Sequence, residues 1–232
     1  LETLQDAENP TPDVAGLKWV LGRLRTLPEK QVGAARLAFW KQLADKVPPL
    51  PMGEDQGKKY LPGAAKIHGG RGNSENPELY AVFPFRLYGV GKPDLEVGRL
   101  TFAHRHVKGN NGWRQDDTQA ALLGLTDTAA SYIVGRARNK HRGSRFPAFW
   151  GPNMDWIPDQ DHGGNLLMGL QAMILQADDG KIRLLPAWPR HWDVDFKLHA
   201  PQKTIVEGRF ENGKLLELRV TPDSRKEDVI VG

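Results

Sequence analysis

The chain contains no cysteine among its 232 residues. That absence removes a disulfide framework, a thiolate metal site and a cysteine nucleophile together, while leaving the compartment open. Long hydrophobic runs are missing too: no apolar stretch approaches the ~20 residues needed to cross a bilayer, so no membrane partner is expected. Charge of one sign is scarce. The 32 Lys and Arg against 28 Asp and Glu leave a net charge of +4, spread along the chain without the dense stripe that neutralising a phosphate backbone requires. Nucleic acid is not a predicted partner, and the local basic groups (Arg23/Arg25, Lys58/Lys59 and the run Arg136 to Arg145) read as solvated faces. Gly69-Gly70-Arg71-Gly72 lacks the Lys-Ser/Thr of a phosphate-cradling loop, and no Gly-x-Ser-x-Gly elbow occurs. Leu1 carries neither an initiator Met nor a charged, apolar leader, which predicts a truncated chain whose targeting segment lies upstream.

What is present is a 39% hydrophobic content, enough to bury one large domain or two unequal ones. Seven Trp stand beside only four Tyr and four Met. Each indole joins a broad apolar face to a single N–H donor, which suits either an ordinary core or stacking on sugar rings. Thr11-Pro12 places a capping hydroxyl before a first-turn proline, and Val14, Leu17, Leu21 and Leu24 recur at helical spacing, predicting a helix over 12–26. Pro28 ends it, and a second amphipathic run through Val32, Ala35, Phe39, Leu43 and Val47 completes an αα-hairpin stopped by Pro48-Pro49.

Residues 50–76 read as a long Gly-, Pro- and Lys-rich loop, followed by a short apolar helix over 78–87 and helices over 94–106 and 116–138. A second loop, 143–164, precedes a helix over 165–176. Past Asp178-Asp179-Gly180 the period changes to strands at 182–185, 206–210 and 215–220, the last two joined across Asn212-Gly213. The expected fold class is therefore mainly α with a C-terminal β unit, divided as 1–178 and 179–232.

The segment Asn153-Met-Asp155-Trp156-Ile-Pro-Asp-Gln160-Asp161-His162-Gly-Gly-Asn165 concentrates carboxylates, amides, an imidazole and an indole just before an apolar helix. A carboxylate here either caps the helix or, in an aromatic-walled and partly desolvated loop, serves as a general base for water. A second polar group, Asn73-Ser74-Glu75-Asn76-Pro77-Glu78, lies at a helix start where acids are favoured by the dipole. Glu75 is the better site candidate of its two acids. Gly112-Trp113-Arg-Gln115-Asp116-Asp117 sits at a helix entrance, where either an Asp caps the helix or Trp113 with a hydrogen-bonding Gln115 forms a sugar platform. His104 and His106, at i,i+2 spacing with no carboxylate at ligand distance, do not predict a metal, and no cofactor is predicted.

These residues resemble the glycosidases built as an (α/α)6 toroid, and most closely glycoside hydrolase family 95, the α-L-fucosidases, over about 63–231. Leu79-Tyr80-x-x-Phe83-Pro84 resembles the family's His-Leu-Tyr-x-x-Tyr-Pro segment. Gly112-Trp113 is similar to its Gly-Trp helix opening, and Leu123-Gly-Leu-Thr-Asp127 to its Leu-Gly-Asp turn. Asp161, with the helix ending Met173-Ile-Leu-Gln176 and then Gly180-Lys-Ile-Arg-Leu-Leu-Pro-Ala-Trp-Pro189, resembles its catalytic loop, helix and strand. Gly208-Arg-Phe210, Asn212-Gly213-Lys-Leu215 and Val220 resemble its C-terminal β domain.

The resemblance implies a partial (α/α)6 barrel followed by a small antiparallel β domain, completed by an upstream part of the barrel, in a periplasmic or secreted enzyme acting on an oligo- or polysaccharide. It places the inverting general base on Asp161. Trp150, Asn153, Asp155, Trp156, Gln160, His162, Glu78 and Trp113 are then the expected substrate contacts. Ser74 and Glu75 stand where the family has a sugar-contacting Arg and His, which alters the hydroxyls that can be bound and opens the sugar identity. His162-Gly163 likewise replaces the expected Gly-Asn. An inverting pair sits roughly 6.5–9.5 Å apart, and either Glu75 or an upstream residue is the partner acid. Two alternatives stay open: a carbohydrate-binding relative without turnover, and a polysaccharide lyase using Tyr80 with Arg86.

Overall fold

The computed structural model describes residues 3–110, 112–139 and 161–232. The chain divides into two compact units, Leu1–Lys108 and Gly109–Gly232.

The first unit opens on strand β1 (Ala7–Pro10), which leads directly into helix α1 (Thr11–Leu24). Pro12 occupies the first turn, where its missing N–H leaves nothing unsatisfied. The predicted Thr11 cap is not made. Its hydroxyl donates to the Pro62 carbonyl and its N–H to the Gly63 carbonyl at 2.9 Å, tying the helix start to the chain entering strand β4 (Ala64–Ile67). β4 in turn pairs antiparallel with β1. Val14 and Leu21 of the predicted stripe are buried, whereas Leu17 is exposed. Helices α2 (Glu29–Val32) and α3 (Ala34–Lys46) bury no residue completely, and Phe39 is 59% exposed.

Inside the stretch read as a loop lies a hairpin, β2 (Gly53–Asp55) with β3 (Lys58–Tyr60). Gln56 and Gly57 turn it with φ of 49° and 76°, the double positive φ that a two-residue primed turn requires. The apolar helix expected over 78–87 is reduced to one 3-10 turn, Pro77–Leu79. The amides of Leu87 and Tyr88 both reach back to the Ala81 carbonyl, and Pro84 has no N–H with which to continue a helix. Helix α4 (Leu95–His104) follows, its Thr101 hydroxyl accepting the Leu61 amide at 2.8 Å.

The second unit carries helices α5 (Asp116–Leu122), α6 (Thr126–Arg138) and α7 (Asp161–Ile174). The single helix expected over 116–138 is cut at Gly124. That residue takes φ 66°, and the amides of Gly124 and Leu125 fold back onto the carbonyls of Ala121 and Ala120, a left-handed C-terminal cap. Helix α7 runs into strand β5 (Leu175–Asp178), which forms a hairpin with β6 (Lys181–Leu184). Strand β10 (Val229–Val231) then pairs with β6 in parallel. Between them β7 (Val194–Ala200), β8 (Thr204–Glu211) and β9 (Lys214–Thr221) make an antiparallel meander, with the predicted Asn212-Gly213 turn at φ 52° and 75°.

The expectation of a mainly α chain with a partial (α/α)6 barrel is overturned. Among the described residues the fold is mixed, 40% helical and 24% strand, with four small sheets. Strand pairs interleave with the helices in the first unit, where a toroid would continue with helical hairpins. The Gly-rich turn chemistry that looked like loop composition is hairpin chemistry. Nor is the carboxy-terminal β structure purely antiparallel, because β10 joins β6 in the same direction.

Candidate functional site

The expected site residues fall into three groups. Trp150, Asn153, Asp155, Trp156 and Gln160 lie outside the described residues. Glu75 and Glu78 belong to the first unit; Trp113, Asp161 and His162 belong to the second.

Glu78 is 4% exposed. Its Oε1 accepts the His106 amide at 2.8 Å, and its Oε2 faces the Arg71 guanidinium at 3.5 Å. This carboxylate knits the unit together, with Asn76 and Val107 exchanging two 2.8 Å bonds alongside it. Glu75 accepts a hydrogen bond from the Thr3 hydroxyl. Burial first, and then Glu75, push the Tyr80 phenol above its ordinary value.

In the second unit the polar side chains converge on Arg136, which is 1% exposed. Sequence reading assigned this residue to a solvated basic face; the structure buries it. Its Nε donates to Asp117 Oδ2 at 2.8 Å, Nη1 to the Gly112 carbonyl at 2.7 Å, and Nη2 to the Arg114 carbonyl at 2.6 Å and Asn110 Oδ1 at 3.0 Å. Asp117 Oδ1 accepts the Thr118 amide at 2.8 Å. Asn110 Nδ2 donates to the Tyr132 carbonyl at 2.8 Å, and Asn165 Nδ2 to the Gly112 carbonyl at 3.4 Å.

His162, also 1% exposed, closes the cluster. Its ring contacts Arg136 through both nitrogens, Nε2 at 2.9 Å from the backbone carbonyl and Nδ1 at 3.4 Å from Nη1. It is therefore a buried tether and not a surface available to a sugar. Asp161, one residue earlier in the first turn of α7, is exposed, and Trp113 is half-buried on the turn before α5.

Burial pushes Asp117 up to about 6, against the pull of the Arg136 charge, the Thr118 amide and the Arg136 bond; Asp116 adds to the rise. The same burial lowers Arg136, opposed by its attraction to Asp117. A desolvated pair of this kind is costly to break, because whichever partner remains is left buried and uncompensated.

Arg136 and Asn110 were not singled out from the sequence as site residues, and Asp117 was read only as a helix cap. A signal for Arg136 existed: it follows Ala129 and Ile133 at helical spacing on the stripe of α6 that the structure buries. An arginine on such a stripe calls for a carboxylate partner.

Among the described residues no group of three His, Asp or Glu side chains could hold a metal ion, and no helix is long and apolar enough to cross a membrane. A cleft of about 720 Å³ on the β7–β9 sheet is lined by alternating charges. Those charges are engaged with one another, Lys197 with Glu207 at 3.0 Å and Arg209 with Asp195 at 3.7 Å. No protein-family model matches the chain, and no curated protein matches it.

Proposed function

We propose that this chain carries the general base of an inverting glycoside hydrolase, Asp161, and that its substrate is an oligo- or polysaccharide. The observation that supports this reading is the contrast between two neighbours on the first turn of α7. Asp161 is exposed, while His162 is buried and bonded to Arg136 through both ring nitrogens. A carboxylate presented to water from an immobilised backbone is suited to orient and deprotonate that water at an anomeric carbon. The resemblance of this segment to an inverting glycosidase loop points to the same residue.

The test is hydrolysis of a panel of aryl glycosides, α-L-fucoside included, by the full-length protein. D161N is expected to lower kcat by ~10²–10⁴, and proton NMR of the first-formed sugar should show the inverted anomer. Wild-type turnover in D161N, or a retained anomer, would overturn the assignment. Glycan binding without turnover across the panel would instead support the sugar-binding relative. E75A in the same assay decides whether Glu75 takes part: an unchanged rate leaves it a structural partner of Thr3 and Tyr80.

A further inference from the structure

The two carbonyls that flank Trp113 end on one guanidinium. Arg136 Nη1 takes the Gly112 oxygen at 2.7 Å and Nη2 takes the Arg114 oxygen at 2.6 Å. Nη1 also lies 3.4 Å from the His162 carbonyl, immediately after Asp161. Asn165, in the next turn of α7, reaches the Gly112 carbonyl as well. Asp117 holds the guanidinium through Nε at 2.8 Å. A turn pinned at both carbonyls leaves its indole little freedom to swing, and the helix start carrying Asp161 is pinned to the same planar group.

We infer that Arg136 is the positioning residue of the proposed site, holding the Trp113 ring as a stacking wall for the same sugar that Asp161 addresses. The inference rests on the glycosidase reading above and extends it by naming what aligns the base with its substrate. The chemistry fits a pyranose: an indole offers an apolar face to a ring's C–H surface, and a carboxylate takes the hydroxyls or the attacking water. Arginine suits the task because its rigid fork spans several acceptors at once, whereas a lysine ammonium on the same stem is a compact point donor. A residue that merely stabilised the unit would leave the folded-state environment of Trp113 unchanged when conservatively replaced.

The experiment labels the full chain with 5-fluorotryptophan, the Trp113 resonance being identified among the seven by its loss in W113F. The probes are 1-deoxyfuconojirimycin and 1-deoxynojirimycin, iminosugars whose protonated ring nitrogen pairs with a carboxylate. One of them is expected to move the Trp113 line in the wild type, and D161N should weaken that probe about tenfold, the equivalent of losing one charge-assisted contact. R136K should displace the Trp113 line without ligand and weaken the probe by about an order of magnitude, while the loss in R136K/W113A stays smaller than the sum of the two single losses.

Should R136K not fold, N110A replaces it: it leaves the guanidinium in place and removes the Asn110 acceptor 3.0 Å from Nη2, together with the Asn110 bond to the Tyr132 carbonyl. A Trp113 line unmoved in R136K and N110A would overturn the inference. So would additive losses in R136K/W113A. If neither iminosugar binds the wild type, the glycosidase reading fails, and the role of Arg136 in holding Trp113 is then decided by the ligand-free line alone.

Discussion

His162 Nε2 donates to the Arg136 carbonyl at 2.9 Å while the guanidinium of the same arginine lies 3.4 Å from Nδ1. A carbonyl only accepts, so the ring proton sits on Nε2 and Nδ1 turns its lone pair to the guanidinium. A second proton on Nδ1 would set two donors against each other beside a positive charge.

That arrangement makes a prediction about acid stability. Burial, with the Arg136 charge, lowers the His162 pKa below its ordinary 6.5. The unfolded chain therefore takes up a proton before the folded one does. The contribution of His162 is whole above pH ~6.5 and is lost as pH falls from there through the folded value. Urea unfolding between pH 8 and pH 5 should show a decline in wild type that flattens in H162Q. Parallel curves for the two proteins would refute the assignment.

Asp117 works in the other direction. Its pKa rises from 3.8 to about 6, so the unfolded chain releases this proton first. Stability from this group is full below pH ~4 and falls by ~3 kcal/mol as pH rises to ~6, then stays level. Because His162 opposes this trend, the comparison is cleanest between H162Q and H162Q/D117N. The double variant should lack the decline between pH 4 and pH 6. Replacing Asp117 by Leu instead strands the buried guanidinium and is expected to cost ~3–5 kcal/mol by denaturant titration.

Two glycines of α7 give opposite expectations under the same substitution. A Cβ on Gly169 would lie 2.8 Å from Ile133 Cδ1 and 3.1 Å from Asp117 Cγ, while one on Gly164 meets nothing within 4 Å. The helix-propensity gain of ~1 kcal/mol is common to both. Overpacking of ~1–3 kcal/mol applies only at Gly169, where Asp117 is already pinned. Thermal melts should therefore place G164A above the wild type and G169A below it. The reverse order would mean that α7 does not pack on α5 and α6 as described.

The meander offers a fourth test. Phe196, Gly208 and Leu218 share one cross-strand row. A Cβ on Gly208 would come within 2.5 Å of the Phe196 ring and 3.2 Å of the Glu217 carbonyl. G208A should destabilise by ~1–3 kcal/mol, and F196L should recover part of that loss in the double variant.

Elements with long periodic patterns were legible. Helix α1 was expected over 12–26 and spans Thr11–Leu24, and α3 and α4 fall within their predicted ranges. Strands β6, β8 and β9 were signalled by alternation and by Asn212-Gly213. Short strands were not. β2 and β3 have three residues each, with Lys58 and Lys59 exposed, so neither alternation nor hydrophobicity marks them. β10 is recognised only through its neighbour β6, a pairing that no local pattern encodes. At the site, the sequence singled out His162 and Glu78 as substrate contacts, and the structure spends their polar atoms on internal partners. Composition shows that a residue can bind; it does not show what has already bound it. The converse miss, Arg136, came from reading its neighbouring charges and overlooking its helical stripe.

The parallel pairing of β10 with β6 encloses the whole β7–β9 meander between two adjacent strands. The meander can form from local turns, each strand meeting the next as it emerges. The three-stranded sheet β5–β6–β10 has to wait, because its edge arrives only after that excursion closes, and ring closure over so many residues is entropically slow. The second unit thus has a built-in order of assembly, with hairpins early and β10 late. A slow refolding phase that reports on β10 while the meander is already protected from hydrogen exchange would be its kinetic signature.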